Sequence, residues 1–166
     1  MTWTTLCGTY TPPASAAVTA LAQTSGETRV YCFDTDTLSA VIRREPPLHL
    51  IRRLAQVPPT DQATTTINLG ELLYGAAKRG SGPLTDRVRE VVSTATSILP
   101  FDERAAEVYG PLRAQLEREG RRLDEPDLRI ASIALSRGLT VVTGNVRHFS
   151  RIPGLSVENW LVEDGS

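Results

Sequence analysis

Three acidic residues that lie far apart in the sequence, Asp34, Glu71 and Asp127, are the side chains best suited to chemistry. Each follows a predicted strand or lies in the first turn of a predicted helix, next to apolar residues that we expect in the core. Burying an unpaired carboxylate costs free energy, so an acid in such a place usually has a partner or a function. Carboxylate oxygens are hard ligands, and a fold that gathers all three would bind Mg²⁺ or Mn²⁺, which suits phosphodiester chemistry.

Each acid also has a purely structural interpretation. Asp34 is a good N-cap for the helix that follows it. Glu71 comes three residues after Asn68, so the two together match a variant of the capping box, with Asn68 as the N-cap. Asp127 stabilises a helix N-terminus, but it shares a helical face with Ile130 and other apolar residues, and a metal explains that placement better.

Three further polar residues stand close to these acids in the sequence. Asn145 lies where a fourth acid would fit, and its amide oxygen suits a hard cation or a metal-bound water; a turn asparagine after glycine is the alternative. Asp36 is either a supporting partner of Asp34 or a favourable acid in a helix first turn. His148 either contacts phosphate or is a surface histidine.

The elements that must position these residues alternate between strands and helices. Short apolar or β-branched runs predict strands at 30–33, 64–67, 98–99, 139–143 and 157–161. Helical periodicity, capping residues and helix-ending Pro or Gly predict helices at 35–43, 48–55, 68–78, 83–94, 102–119 and 125–137. This order predicts an α/β fold with a mainly parallel sheet, in which ligands bind beyond the carboxyl ends of the strands.

The chain of 166 residues fits one compact domain preceded by a different kind of segment. Residues 1–29 are rich in Thr, Ala, Ser and Pro and show little periodicity, which predicts a flexible leader; translation starting near Val30 is the alternative. The folded domain is expected over residues 30–162. The net charge is −1, so a nucleic acid would have to be bound by local arginine clusters.

Composition excludes several other classes. No apolar run reaches the roughly 18 residues that a membrane span requires, and the N-terminus does not resemble a secretory signal. The two cysteines, Cys7 and Cys32, form no disulfide or zinc pattern. We therefore expect a cytoplasmic protein without a membrane partner.

From Val30 to Leu161 the sequence resembles the PIN-domain ribonucleases of the VapC toxin type. Five motifs in order carry the resemblance: Tyr31-Cys32-Phe33-Asp34-Thr35 with Leu38, Glu71-Leu72 with Gly75, Asp127 with Ile130-Ala131, Val142-Thr143 with Asn145, and a tail that includes Phe149, Arg151-Ile152-Pro153-Gly154-Leu155 and Glu158-Asn159-Trp160. Single motifs are weak, but the ordered set is specific.

The resemblance implies a PIN-like three-layer sandwich of about five strands with helices on both sheet faces. It implies an Mg²⁺-dependent endoribonuclease, with Mn²⁺ able to substitute, in which Asp34, Glu71, Asp127 and Asn145 match the catalytic positions and Asp34 and Asp127 match the direct metal ligands most closely. RNA would be cleaved by water attack on a phosphodiester. It also implies a homodimer and a cognate VapB-like antitoxin that forms a hetero-oligomer with the toxin.

Two alternatives come from other functional classes. The segment Asp34-Thr35-Asp36-Thr37-Leu38 resembles the nucleophile motif of haloacid dehalogenase-like phosphatases, with Asp34 as the nucleophile. Leu38 stands where that motif has Thr or Val, however, and the single lysine, Lys78, is poorly placed for phosphate binding. The second alternative is a PIN-like interaction module without catalysis, against which the intact acids argue.

Overall fold

The computed structural model describes residues 29–95 and 97–163, and the predicted leader lies outside this part except for Arg29. Five strands form one sheet in which every pairing is parallel, in the order β3-β2-β1-β4-β5. The strands are β1 Tyr31–Phe33, β2 Gln62–Thr65, β3 Ser97–Leu99, β4 Thr140–Val142 and β5 Ser156–Glu158. The prediction of a parallel α/β sheet is confirmed.

Seven α-helices connect the strands in this described part of the chain. They are α1 Thr35–Ile42, α2 Leu48–Ala55, α3 Thr66–Lys78, α4 Gly82–Ala95, α5 Glu103–Arg118, α6 Glu125–Leu135 and α7 Val146–Phe149. None of the described helices is long and apolar enough to cross a membrane.

The helices cover the sheet on both sides because strand residues alternate between its two faces. Phe33 and Val142 face one core, which is completed by α1, α2, α3, α4 and the buried Trp160. Cys32 and Val141 face a second core, made with α5, α6 and α7. The result is the predicted three-layer arrangement, with β1 central in the sheet.

One predicted boundary is wrong, and it matters for the site. Asn68 does not begin α3; the N-cap is Thr65, whose hydroxyl accepts a hydrogen bond from the Asn68 backbone N–H at 3.2 Å. The Asn68 amide oxygen in turn accepts from the Thr65 backbone N–H at 3.2 Å. This reciprocal pair forms a capping box, which outweighs the strand preference of the two β-branched residues that follow, Thr66 and Ile67.

The other differences are small. The last strand ends at Glu158 rather than continuing through residue 161, because the chain then turns to bury Trp160 in the first core. The short helix α7 was not predicted, since four residues are too few to show periodicity. Asp102 caps α5 as predicted, and its side chain accepts from the Ala105 backbone N–H at 3.1 Å.

Candidate active site

Asp34 directly follows the carboxyl end of β1. This strand lies between β2 and β4, at the point where the strand order of the sheet reverses. Such a switch point is the usual ligand-binding position of an open parallel sheet. Asp34 holds the N-cap position of α1, yet its side chain makes no capping bond. Its Oδ1 accepts from the Asn68 amide at 2.8 Å and its Oδ2 accepts from the Thr143 hydroxyl at 2.8 Å. The carboxylate therefore faces the sheet edge, and capping does not explain it.

Asn68 is buried and serves two neighbours at once. Its amide oxygen must face the Thr65 backbone N–H, which needs an acceptor, so its amide nitrogen is directed toward Asp34. The same nitrogen also donates to the Thr35 hydroxyl at 3.1 Å. Sequence reasoning missed this role because the capping interaction was placed three residues too late in the chain.

Glu71 lies in the second turn of α3 and is held by α1. The Thr35 hydroxyl donates to Glu71 Oε2 at 2.5 Å. Since Thr35 also accepts from Asn68, a continuous chain of hydrogen bonds joins Glu71 to Asp34 through neutral groups. Glu71 thus lies beside the Asp34 cluster, and its orientation is set by Thr35 and not by a helix cap.

Asp127 lies in the first turn of α6, and its side chain is only 19% exposed. Its Oδ2 is 2.9 Å from Nδ1 of His148 on α7. The two residues are 21 positions apart, and the contact gives His148 a clear role as the partner of an acid at the site. Asp127 also acts electrostatically on Asp34, which places both acids in one region.

The loop after β4 is held against α1 by Asp36. Its Oδ2 accepts from the Gly144 backbone N–H at 2.7 Å and its Oδ1 from the Thr37 backbone N–H at 2.6 Å. The Thr143 hydroxyl accepts from the Asn145 backbone N–H at 2.9 Å while it donates to Asp34. Asn145 begins α7 without a side-chain capping bond, so capping does not use its amide oxygen.

The electrostatics of the cluster favour a bound cation. The pKa of Asp34 is raised to about 6, chiefly by burial and in smaller part by the negative charges of Asp36 and Asp127, against the hydrogen bond from Thr143. Asp34 is only 7% exposed. A cation would reverse this effect by stabilising the ionised form.

The donor set fits Mg²⁺ in an open, hydrated site. In the described residues, no group of three or more His, Cys, Asp or Glu side chains is arranged to hold a metal ion. The three predicted acids therefore do not form a closed cage, and Glu71 is engaged by Thr35. Mg²⁺ commonly keeps several waters and is bound through one or two carboxylates, so a magnesium site of this kind needs no third carboxylate ligand.

The structure gives no support to the phosphatase interpretation. The second aspartate of that motif, Asp36, would have to exchange protons, yet both of its oxygens accept backbone N–H bonds. Lys78 is exposed at the end of α3, with its ammonium 5.9 Å from the ring centre of Tyr74. The groove bounded by α2 and residues 160–163 contains none of the predicted site residues.

Comparison with known proteins identifies the family. The PIN domain profile matches residues 31–155. The tRNA(fMet)-specific endonuclease VapC of Salmonella typhimurium is 36% identical over 130 residues, covering 78% of this chain and 97% of that protein. Ribonuclease VapC2 of Haemophilus influenzae is 33% identical over 131 residues, covering 79% and 98%.

Solved structures agree with the sequence comparison. VapBC from Salmonella typhimurium, in a DNA-bound crystal structure, superposes with a TM-score of 0.68 at 36% identity, over 80% of this chain and 98% of that chain. VapBC2 from Rickettsia felis, bound to a DNA fragment from its promoter, gives 0.68 at 30% identity, over 79% and 98%. The chain therefore belongs to the PIN-domain family and, within it, to the VapC ribonucleases.

Proposed function

We propose that the chain is an Mg²⁺-dependent endoribonuclease that acts as the toxin of a toxin–antitoxin pair. The observation that carries the proposal is the carboxylate of Asp34, which is buried at the switch point of the sheet and lies near Asp127. Among the described residues, its side chain accepts hydrogen bonds only from neutral groups. A buried acid without a charged protein partner is expensive unless a cation completes the site.

Each site residue has a defined part in this proposal. Asp34 and Asp127 would hold the ion directly, and Asn145 would offer its amide oxygen to the ion or to a coordinated water. Glu71, oriented by Thr35, completes the negative surface around the ion. A divalent ion would supply positive charge to the scissile phosphate and lower the pKa of the attacking water.

The reaction is hydrolysis of one phosphodiester bond. The oxygen of water forms a bond to phosphorus, the bond from phosphorus to the 3′ oxygen breaks, and the products carry a 3′-hydroxyl and a 5′-phosphate. The acids position the reacting groups in line and take up the proton that leaves the water, while the departing 3′ oxygen takes a proton from solvent and becomes the 3′-hydroxyl. Manganese should replace magnesium, because both are bound by oxygen ligands.

The partners of the proposed toxin follow from its relatives. Solved relatives are VapBC complexes, and we propose a VapB-like antitoxin for this chain, with a homodimer as the toxin unit. One relative is named as specific for tRNA(fMet), so initiator tRNA is the first substrate to test. A cytoplasmic location fits an RNA substrate.

The test compares three purified proteins on initiator tRNA and total RNA, with Mg²⁺ or with EDTA. Asp127→Asn should lose metal-dependent cleavage by at least about 100-fold, as expected when an electrostatic contributor to a reaction is removed. Asp124→Asn is the matched control, since Asp124 is exposed at the N-cap of the same helix and makes no side-chain capping bond. An Asp127→Asn protein that cleaves as fast as the control would refute the assignment.

A further inference from the structure

A groove of about 380 Å³ leads away from the acidic site between α1, α3 and α4. Its near end is formed by Thr35 and Glu71, the pair joined by the 2.5 Å hydrogen bond. Its far end contains two arginines, Arg43 and Arg79. The groove thus connects Glu71, one of the proposed catalytic acids, to two positive charges on the same surface.

The spacing follows from the two helices. Arg43 is the C-cap of α1, eight residues after Thr35, and Arg79 is the C-cap of α3, eight residues after Glu71. At 1.5 Å per helical residue, each arginine lies about 12 Å along its helix from the acid end. The helices start from neighbouring parallel strands, so both arginines lie on the same side of the acidic site.

The guanidinium groups of Arg43 and Arg79 are not paired with an acid in the described residues. In the described parts of the chain, neither guanidinium group forms a hydrogen bond or ion pair, although the Arg79 backbone N–H donates to the Ala77 carbonyl. Other arginines already contact acids: Arg53 lies 3.0 Å from Glu158, and Arg121 lies 2.9 Å from Glu119. Arginine at a helix C-terminus stabilises the helix dipole, but that effect does not require the two to share a groove with the acids.

We propose that Arg43 and Arg79 bind backbone phosphates of single-stranded RNA beyond the scissile bond, with the strand lying in this groove. The inference rests on the proposed function, since a strand cut at the acids must continue along an adjoining surface. Free guanidinium groups complement phosphate in charge and geometry. The partly buried Leu84 adds an apolar surface to the wall of the groove, which suits the faces of sugars and bases.

Gly75 keeps the groove open. A Cβ built on Gly75 meets no atom within 4 Å, and the residue lines the groove. A larger side chain there would begin in open space and extend into the groove. Gly75→Met should therefore obstruct the strand without changing charge, which separates access from electrostatics.

The experiment measures kcat and KM on a short fluorogenic oligoribonucleotide between about 50 and 200 mM KCl. Arg43→Gln and Arg79→Gln should each raise KM by about 3- to 10-fold with kcat within about twofold, equally for A-rich and U-rich strands, because phosphate contacts carry no sequence information. The slope of log KM against log salt should fall by about 0.7 for each arginine removed. Lysine at both positions should restore most of the slope.

Arg118→Gln is the matched control, since Arg118 is exposed on α5, on the other face of the sheet. The inference would be overturned if the wild type cleaves RNA and the Arg43→Gln/Arg79→Gln double variant has the same KM and salt slope as this control. Loss of antitoxin affinity with unchanged RNA kinetics would also overturn it, because a protein segment would then occupy the groove.

Binding of the same oligoribonucleotide in EDTA, followed by fluorescence anisotropy, keeps this test separate from the proposed reaction. If the wild type cleaves no RNA, the proposed function fails, whereas the salt slope of binding still supports or refutes the role of Arg43 and Arg79. Thermal melting of each variant shows whether a change in KM reflects loss of fold.

Discussion

Replacing Asp34 by Asn should make the metal-free protein more stable at neutral pH. The pKa of Asp34 is raised from 3.8 to about 6, chiefly by burial. The folded protein therefore binds this proton more tightly than the unfolded chain does. Below about pH 4, Asp34 has no effect on the free energy of unfolding. This free energy falls as the pH rises toward 6, and above that pH it is reduced by the full cost of burying the ionised carboxylate.

The magnitude follows from the shift. One pKa unit corresponds to about 1.4 kcal/mol, so ionised Asp34 costs the fold about 3 kcal/mol at pH 8 without metal. Asn is nearly isosteric and keeps both bonds, because its amide oxygen accepts from Asn68 and its amide nitrogen donates to the Thr143 hydroxyl. We expect a gain of about 2 to 3 kcal/mol in the free energy of unfolding, or about 5 to 10 °C in Tm.

The assay is urea unfolding of both proteins in EDTA at several pH values from 4 to 8, with the difference between them plotted against pH. The gain should be near zero at pH 4 and complete above pH 7. Asp86→Asn provides a control, since that side chain is 81% exposed. Mg²⁺ should then stabilise the wild type by mass action and leave Asp34→Asn unchanged. A variant that is less stable at pH 8, or a gain independent of pH, would refute the reasoning.

Three further substitutions test the packing of the protein. Gly144→Ala should lower the free energy of unfolding in urea by about 1 to 3 kcal/mol through overpacking, because the added Cβ would lie 2.7 Å from Oδ2 of Asp36. The same variant should also cleave RNA more slowly. Gly70→Ala, where an added Cβ meets nothing within 4 Å, should leave stability unchanged or increased and cleavage unchanged. Trp160→Phe should cost about 1 to 3 kcal/mol in urea unfolding, since it removes the 2.7 Å hydrogen bond from the indole to Glu158 at a buried position. Equal stability of the two glycine variants, or no measurable change on losing the indole N–H, would contradict these expectations.

The amino-acid sequence by itself determines the order of the elements. Apolar runs ended by polar residues are local signals, and they located the strands around Cys32, Ile98 and Val141 and the whole of α2. They also placed Asp34 after a strand and Asp127 in the first turn of a helix. Such signals depend on neighbours within a few positions, so one sequence is enough to read them.

The tertiary structure alone decided what those acids contact. Asp34 accepts hydrogen bonds from Asn68, which is 34 positions away, and from Thr143, which is 109 positions away. Asp127 contacts His148, and Asp36 holds the loop that follows a neighbouring strand. Helix α3 begins three residues earlier than predicted. Asn68 is therefore not the N-cap that would pair with Glu71, and its amide donates to Asp34. The pKa of a carboxylate depends on burial and on charges brought together by folding. The sequence therefore indicates which acids are available, whereas their hydrogen bonds and the raised pKa of Asp34 exist only in the folded protein.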